Sequence, residues 1–360
     1  MTVTEQPRSG SATASVTPTS QHSYPFDQWW VAGMREEITR EMLQRWILGK
    51  PVLLYRTEAG DPVALDNRCI HRSFPLHKGT LDGDNVVCGY HGYTYGTDGV
   101  CVKVPAQDRV PPRAKVRSYP VVERGPWVWI WTGDPGLADE TKIPATPGLG
   151  EEGWSYVNGY FNINAPWLDL HENLLDLTHF SYLHAGNVGT PEWAAVPVES
   201  SVEGDVLRVS RVLRNSAPPA IYAKPMQVED HLVDRWSITE IPTPAIHIAN
   251  AKIVDREPVG GRSEFDLQII HAITPSGEVG LHQFWAIARN FRIDDDGVTE
   301  HLNEGTIKAF TEDVEALQWI TELVEDDERT NFTQISTTSD KPGHQLRKIV
   351  ADLIARERHA

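Results

Sequence analysis

The sequence predicts an α+β protein of two domains, a small all-β domain followed by an antiparallel sheet wrapped around helices. Three observations carry this prediction. Residues 49–131 alternate short apolar runs with turn residues, as strands and hairpins do. Residues 133–153 are rich in Gly, Pro and acidic residues, which is typical of a domain boundary. Beyond that boundary, strand-like segments are grouped between helical ones.

The N-terminus is predicted to be a disordered tail over residues 1–22, because it is rich in Ser and Thr and nearly free of large apolar residues. The two domains then span 23–140 and 141–360. A chain of 360 residues is long enough for two separate cores.

The formal net charge of −17 argues against a nucleic-acid partner, because binding there depends on Lys and Arg neutralising phosphates. It also provides no attraction to anionic lipid, and no run approaches the roughly 18 apolar residues of a membrane helix. Three cysteines do not make a disulfide framework. We therefore expect a cytoplasmic protein, with no membrane or nucleic-acid partner, whose cysteines are free to bind metal.

The first domain reads as strands and turns. Residues 51–55 and 62–65 flank an Ala-Gly-Asp turn and predict a hairpin. Short strands are expected near 86–87, 93–95 and 100–102. Residues 126–131 are entirely apolar, which predicts a strand buried on both faces or at an interface.

The second domain contains segments with a helical pattern and segments with a strand pattern. A helix is expected over 165–184, and two more over 305–325 and 344–358. The predicted strands cover 154–163, 205–213, 232–240, 245–254, 263–274 and 281–289.

Two Cys and two His form the first metal motif. Cys69-x-His71 is followed, after sixteen residues, by Cys88-x-x-His91. Zinc sites usually group like ligands, whereas each half of this motif contributes one thiolate and one imidazole. That pattern fits a [2Fe–2S] cluster in which one iron binds both Cys and the other binds both His.

A second constellation lies in the predicted helix over 165–184. Asn173, Asp176 and His179 are three residues apart and would share one helical face among apolar neighbours. Buried polar groups need partners or a metal. His184 follows His179 by five residues, about 500° round an ideal helix, so the helix must distort or end if both bind one ion. Taken alone, the pair fits two hydrogen-bonded core histidines better than a metal site.

The Cys69-x-His71…Cys88-x-x-His91 pattern resembles the Rieske family. The segment N-x-x-D-x-x-H-x₄-H over 173–184 resembles the iron-binding helix of Rieske non-haem iron oxygenases, of which this chain looks like the oxygenase (alpha) subunit. The similarity runs from about Tyr24 to the last helix and is greatest to the vanillate O-demethylase branch. One departure is Ser-Phe-Pro-Leu-His at 73–77, which replaces the family's usual Ala-Pro-Leu-Ser pattern.

The resemblance implies a fold and a ligand set. It implies a Rieske domain followed by a helix-grip catalytic domain with a mononuclear iron(II). His179, His184 and Asp313 would be the iron ligands, with Glu312 as the alternative if the register is off by one.

The resemblance also implies a role for two residues near those ligands. In the family's head-to-tail homotrimers, Asp176 would hydrogen-bond His179 within the chain and His91 or His71 across the interface. Asn173 would support it, and these two residues are the catalytic candidates.

The implied function is that of an oxygenase component. It would use O₂ and electrons from a separate NAD(P)H-oxidising flavin and iron–sulfur reductase, with or without a ferredoxin, because this chain has no flavin or nicotinamide motif of its own. The small aromatic substrate would be a vanillate-like methoxylated acid, which is O-demethylated. The alternatives are hydroxylation of a ring or alkyl carbon, as in phthalate-type or steroid-type relatives, and an electron carrier with one metal centre only.

Four polar residues on the strands before the late helix are candidates for the substrate pocket. They are His247, Asn250, His271 and His282. His271, in a family-like His-Ala-Ile-Thr-Pro segment, is the best of them, although each equally fits a core or surface position.

Overall fold

The computed structural model describes residues 23–258, 261–329 and 332–359. Two regions follow each other along the chain, three small β-sheets and then one large antiparallel sheet with helices. This confirms the predicted α+β class. The predicted tail over 1–22 lies outside the described residues.

The first region is built of three antiparallel sheets. One contains Trp29–Met34 (β1), Val121–Arg124 (β10) and Trp127–Trp131 (β11), in the order β1-β11-β10. The second contains Leu43–Ile47 (β2), Lys50–Arg56 (β3), Pro62–Asp66 (β4) and Ser118–Tyr119 (β9), in chain order. The third contains Thr80–Asp82 (β5), Asn85–Val87 (β6), Thr94–Tyr95 (β7) and Cys101–Lys103 (β8), also in chain order.

The all-apolar strand β11 lies at the interface between the two regions. Every residue of β11 is buried. Its three tryptophans belong to one apolar cluster with Ile248, Ile270 and Phe284 of the later sheet. The prediction that this segment is buried on both faces or at an interface is therefore confirmed.

The second region is a twisted sheet whose described strands pair in the order β12-β18-β17-β16-β15-β14-β13. These strands are Ser155–Ile163 (β12), Glu199–Glu203 (β13), Val206–Ser216 (β14), Val233–Thr243 (β15), Ile246–Asp255 (β16), Glu264–Pro275 (β17) and Leu281–Arg289 (β18). The helices are Trp167–Leu175 (α1), Ala220–Met226 (α2), Asp296–Asp326 (α3) and Lys341–His359 (α4).

Two predicted helix boundaries are wrong. The helix predicted over 165–184 ends at Leu175, and the one predicted from 305 begins at Asp296. The early start of α3 has a local cause, because the Asp295 side chain caps the helix by accepting a hydrogen bond from the Val298 N–H at 3.1 Å. Strand β13 and helix α2 were not predicted.

Strand alternation divides the large sheet into two faces. In β16 and β17 the odd-numbered residues His247 and His271 are direct partners across the ladder, and they face α1 and α3. The even-numbered Ile248 and Ile270 face β11. No helix within the described part of the chain has the length and apolar character needed to span a membrane.

Candidate metal centres and substrate cavity

The first metal motif occupies two loops of nearly identical hydrogen bonding. The Cys69 N–H donates to the Phe74 carbonyl at 3.0 Å, and the Cys88 N–H donates to the Tyr93 carbonyl at 2.8 Å. In each loop the fourth residue after the cysteine turns back, with a φ of 58° at Ser73 and 69° at Gly92. The two Cys-containing loops therefore have matching turns.

The four ligand candidates are segregated by chemistry. Cys69 and Cys88 are buried, whereas His91 is exposed and His71 is half-buried. The two imidazole rings lie 4.6 Å apart between centroids. The His71 Nδ1 is buried and has no hydrogen-bond partner among the described residues. Paired thiols inside and paired imidazoles outside, with a buried ring nitrogen left open, fit a Rieske cluster.

The residues at 73–77, which depart from the family pattern, make hydrogen bonds that stabilise the first Cys-containing loop. The His77 N–H donates to the Asn67 Oδ1 at 2.8 Å, and the Asn67 Nδ2 donates to the His77 Nδ1 at 2.8 Å. Ser73 adopts a left-handed backbone that non-glycine residues rarely adopt, and its Oγ accepts a hydrogen bond from Arg68 at 3.0 Å. The departure at 73–77 thus leaves the ligand positions intact.

Tyr95 contacts one of the cysteines from beneath the loops. Its hydroxyl lies 3.1 Å from the Cys69 Sγ, and both groups are buried. Burial is the main cause that raises the pKa of Tyr95, followed by Cys69, so the phenol stays protonated and available as a donor. Hydrogen bonds to the sulfur ligands are among the determinants of a cluster's reduction potential.

The second metal motif depends on a break in α1. Asp176 has φ −97° and ψ 88°, which are not helical values, and a 3₁₀ turn follows over Leu177–Ser181. The Leu183 N–H donates to the His179 carbonyl at 2.7 Å, which makes a single α-type turn before His184. The prediction that Asn173, Asp176 and His179 share one helical face is wrong. The break instead brings the rings of His179 and His184 to 5.1 Å between centroids.

Asp313 of α3 completes a three-residue group. Ligand atoms of His179, His184 and Asp313 all lie within 4.8 Å of one another. The Asp313 Oδ1 is 3.1 Å from the His184 Nε2 and 3.5 Å from the His179 Nε2. Two imidazoles and one carboxylate form the facial triad typical of non-haem iron(II).

In His179 and His184 the ring nitrogen that faces away from the triad, Nδ1, already has a hydrogen-bond partner. The His179 Nδ1 lies 2.7 Å from the Asp176 main-chain carbonyl, and the His184 Nδ1 lies 2.7 Å from the Glu312 Oε2. Each Nδ1 therefore carries a proton, so Nε2 is the atom that each neutral ring can offer to a metal. The His179 Nε2 is buried and makes no hydrogen bond within the described residues. This donor set fits a divalent cation.

The pKa values of the two histidines of the triad shift in opposite directions. Burial lowers the pKa of His179. Burial also lowers the pKa of His184, but the carboxylates of Asp313 and Glu312 more than offset it and raise the pKa above its ordinary value. Asn173 donates to the Asp313 Oδ1 at 3.0 Å and so orients the carboxylate.

The Asp176 carboxylate does not make the hydrogen bond to His179 that was predicted for it. The main-chain carbonyl of Asp176 makes that contact instead, because the side chain caps the 3₁₀ turn. The carboxylate accepts hydrogen bonds from the Thr178 N–H at 3.0 Å and the Ser339 Oγ at 2.9 Å. It also lies 3.5 Å from buried Arg211.

A largely apolar cavity of about 120 Å³ opens beside the triad. His184, Asp313 and Phe310 line one side, and mostly odd-numbered residues of β15, β16 and β17 line the opposite wall, with Trp236 and Lys252 as the even-numbered exceptions. The volume is on the order of the engineered cavities that accommodate a single benzene ring.

Only two of the four predicted pocket residues face this cavity. His247 and His271 line it, whereas Asn250 and His282 lie in grooves on the opposite face of the sheet. Successive residues of a strand lie on opposite faces of the sheet. Asn250 and His282 are even-numbered, and they lie on the face opposite to odd-numbered His247 and His271. His282 instead lies 2.8 Å from the Trp46 carbonyl and 2.9 Å from the Tyr160 hydroxyl.

His271 is presented to the cavity in a defined tautomer. The Gln283 Nε2, which can only donate, lies 2.9 Å from the His271 Nδ1, so the proton of the neutral ring is on Nε2. Burial lowers the pKa of His271 to about 4, which keeps the ring neutral near pH 7. His271 thereby offers one N–H donor to a ligand.

Sequence reasoning missed several residues around this cavity. His171 of α1 is buried, with its Nδ1 2.5 Å from the His247 Nε2. Arg235 of β15 lines the cavity and is also buried. The sequence could have indicated Arg235. Residues two apart in a strand lie on one face, so Arg235 lies on the same face of β15 as Val233, Ser237 and Thr239.

Each of the two regions matches the model of a known protein family. A model of the Rieske [2Fe-2S] domain matches residues 28–120, and a model of the vanillate O-demethylase oxygenase C-terminal domain matches residues 163–356. The chain is 36% identical over 79% of its length to the toluene-4-sulfonate monooxygenase system iron-sulfur subunit of Comamonas testosteroni, covering 84% of that protein. It is 30% identical over 94% of its length to a vanillate O-demethylase oxygenase subunit of a Pseudomonas species, covering 97%.

Solved structures agree in fold. Dicamba monooxygenase bound to 3,6-dichlorosalicylic acid superposes with a TM-score of 0.86 at 28% identity, covering 93% of this chain and 99% of that one. Dicamba monooxygenase with non-haem iron and dicamba gives a TM-score of 0.76 at 26% identity, covering 93% and 98%.

Replacing Tyr95 by Phe is expected to lower the reduction potential of the cluster. The hydroxyl proton stabilises charge on the Cys69 sulfur, and that charge is larger in the reduced state. The expected decrease is about 60 mV, which is a tenfold change in a one-electron equilibrium. A redox titration followed by visible absorption measures it. Tyr55→Phe is the matched control, since its hydroxyl bonds the Asp84 carbonyl, and an unchanged potential in Tyr95→Phe would contradict the expectation.

Replacing Glu312 by Ala is expected to weaken iron binding about 10- to 100-fold, because the carboxylate holds the outer nitrogen of His184. Competition with a chelator measures the affinity, while the cluster's absorption should not change. Glu315→Ala, on an exposed position of the same helix, should bind iron as the wild type does. Equal iron affinity in both variants would show that Glu312 has no part in the site.

Proposed function

Because the chain belongs to the Rieske oxygenase family, with a catalytic domain of the vanillate O-demethylase type, we propose that it demethylates a methoxylated aromatic acid. The chain is the oxygenase component of a multicomponent monooxygenase that contains a [2Fe–2S] cluster and a mononuclear iron and takes electrons from a separate reductase. The observation that carries the proposal is that His184 and Asp313 of the three-residue group line an apolar cavity on the order of one aromatic ring in size.

The proposed ligand roles follow the chemistry of each set. Cys69 and Cys88 would bind one iron of the cluster, and His71 and His91 the other. His179, His184 and Asp313 would bind the mononuclear iron. Asp313 is favoured over Glu312 because its oxygen lies among the inner nitrogens, whereas Glu312 bonds the outer nitrogen of His184.

The overall reaction is a balanced oxidation of the ether. The methoxylated ring, O₂, two electrons and two protons would give the phenol, formaldehyde and water. When bound, the cluster supplies single electrons and the iron activates O₂. The protein binds and orients the ring so that its methoxy carbon faces the triad, and the apolar lining excludes water.

Three side chains would position the reacting groups. Glu312 and Asn173 hold His184 and Asp313 in place through single hydrogen bonds. His271 would donate its Nε2–H to a polar substituent of the substrate, and His247, held by His171, would form part of the wall.

Exposed apolar residues support a homotrimer. Ile70 and Tyr90 are 45% and 60% exposed beside the cluster ligands, and Tyr182 is 79% exposed beside the iron ligands. Trp319, Ile320, Leu323 and Val324 form a further exposed apolar patch on α3. Patches of this kind mark protein–protein interfaces. In a head-to-tail trimer, the cluster of one subunit would lie beside the iron of the next.

Asp176 would then contribute to that contact between subunits. Its side chain is 26% exposed, although Thr178 and Ser339 each donate to one of its oxygens. We place the enzyme in the cytoplasm, where NAD(P)H is available to the reductase and the free cysteines stay reduced.

A single-turnover experiment tests the reaction. Reduced, iron-loaded protein reacts with ¹⁸O₂ and a panel of methoxylated and unsubstituted aromatic acids, with mass spectrometry of the products. We expect formaldehyde and the matching phenol from at least one methoxylated acid, and none from Asp313→Ala. Hydroxylated products without formaldehyde would replace demethylation by ring or alkyl hydroxylation. No oxidised product from any acid would count against an aromatic acid substrate.

Mixed trimers test transfer between subunits. His91→Ala removes a cluster ligand and Asp313→Ala removes an iron ligand, so each homotrimer should be inactive. Trimers isolated with one tag on each variant should regain about one third of wild-type activity, because one head-to-tail pair joins an intact cluster to an intact iron. Inactive mixed trimers would mean that the electron does not cross the interface.

A further inference from the structure

Arg235 differs from the other buried arginines of the described chain. Arg45, Arg211, Arg235 and Arg289 are all less than 10% exposed. Arg45 pairs with Glu37 at 2.5 Å, and Arg211 lies 3.5 Å from Asp176. The Nε and Nη2 atoms of Arg289 donate to oxygens of Phe291, Arg292, Asp295 and Thr299.

Arg235 has no such partner. Its one hydrogen bond within the described residues is from Nη1 to the Thr190 hydroxyl, at 2.9 Å. No carboxylate of those residues lies within 4.0 Å of it, and the charge of Glu192, which partly offsets the lowering of the Arg235 pKa by burial, acts from beyond that distance. Its other contact is with the Trp193 ring, 4.4 Å from the guanidinium carbon to the centroid. A buried guanidinium without an anion is unfavourable, because neither a hydroxyl nor an aromatic face replaces the water that it has lost.

The unpaired side of Arg235 faces the cavity. Arg235 is among the residues that line it, together with Ser237 and Thr239 on the same face of β15. Burial lowers the pKa of Arg235 to about 10, so the guanidinium remains charged at neutral pH. Tyr222 also lines this part of the cavity, and burial raises the pKa of its hydroxyl to about 12, which keeps it a donor.

Two aromatic rings join Arg235 to the triad. Trp193, beneath the guanidinium, stacks on Phe180 at 6.3 Å between centroids. Phe180 in turn contacts the His184 ring edge-on at 5.5 Å. The cavity therefore has a cationic end at Arg235 and a metal-binding end at His184 and Asp313, with apolar side chains between them.

We propose that Arg235 is the counter-ion for an anionic substituent, carboxylate or sulfonate, on the aromatic substrate and thereby determines specificity for acids. The proposal rests on the proposed function and adds the residue that selects the acid. The planar guanidinium offers paired N–H donors that match a carboxylate, whose charge would complete the missing ion pair. The substrate would then lie with its anion at Arg235 and its methyl ether at the triad.

Binding measurements test the assignment separately from turnover. The holoenzyme is titrated calorimetrically, without O₂, with 4-methoxybenzoate, 4-methoxybenzenesulfonate and the neutral 4-methoxybenzamide. We expect the wild type to prefer one or both anions over the amide. Arg235→Met should weaken binding of the preferred anion about 10- to 100-fold and leave the amide unchanged, and Arg235→Lys should recover part of the loss. The anion bound more tightly identifies the substituent.

One control variant and two overturning outcomes make the test decisive. Arg208→Met removes an exposed arginine that pairs with Glu240 on the neighbouring strand, and it should bind all three compounds as the wild type does. A wild type that binds neither anion more tightly than the amide overturns the proposal. So does an Arg235→Met variant that loses anion and amide equally, since the role of Arg235 would then be structural.

Failure of this proposal is distinguishable from failure of the demethylase function. An acid preference that disappears in Arg235→Met supports the counter-ion role even where no formaldehyde is formed. Formaldehyde released equally from acid and amide supports demethylation and overturns the role of Arg235.

Discussion

The chain leaves the helical path at Asp176, and the iron site depends on that departure. A continuous helix would direct His184 away from His179, since five residues correspond to about 500° of rotation. The Asp176 side chain caps the next turn, while its carbonyl bonds the His179 ring. One residue therefore ends the helix, starts the 3₁₀ turn and selects the tautomer of a ligand.

Helix α3 supplies the other half of the site and makes it rigid. It is 31 residues long, and its side chains Glu312 and Asp313 reach His184 at both ring nitrogens. Neighbouring residues on a helix point about 100° apart, so adjacent carboxylates can serve different nitrogens. Metal-binding histidines generally have such an outer partner, and here the Asp176 carbonyl serves His179 and the Glu312 carboxylate serves His184.

The large sheet serves two functions through strand parity. Its even-numbered positions in β16 and β17 pack against the tryptophans of β11 and hold the two regions together. Odd-numbered positions of β15, β16 and β17, including Arg235, His247 and His271, form most of the cavity wall. Substrate contacts and domain contacts thus lie back to back on the same strands, so a shift of register by one residue would exchange them.

The sequence by itself determined the class of the fold and most strands, and it predicted Cys and His candidates for the ligands of both metal motifs. Those inferences rest on local patterns, namely the spacing of Cys and His and the alternation of apolar residues. Asp313 was found only through resemblance, because a carboxylate on a helix rich in acidic residues has no local signature.

Only the tertiary structure decided the rest. Whether the segment after Leu175 continues as a helix depends on capping by Asp176 and on contacts with Ser339 and Arg211, which are distant in sequence. The choice between Asp313 and Glu312 depends on how α3 is rotated against α1. The parity that excludes Asn250 and His282 from the cavity and includes Arg235 depends on which face of the sheet packs against β11. These are relations between elements, and a single sequence records them only weakly.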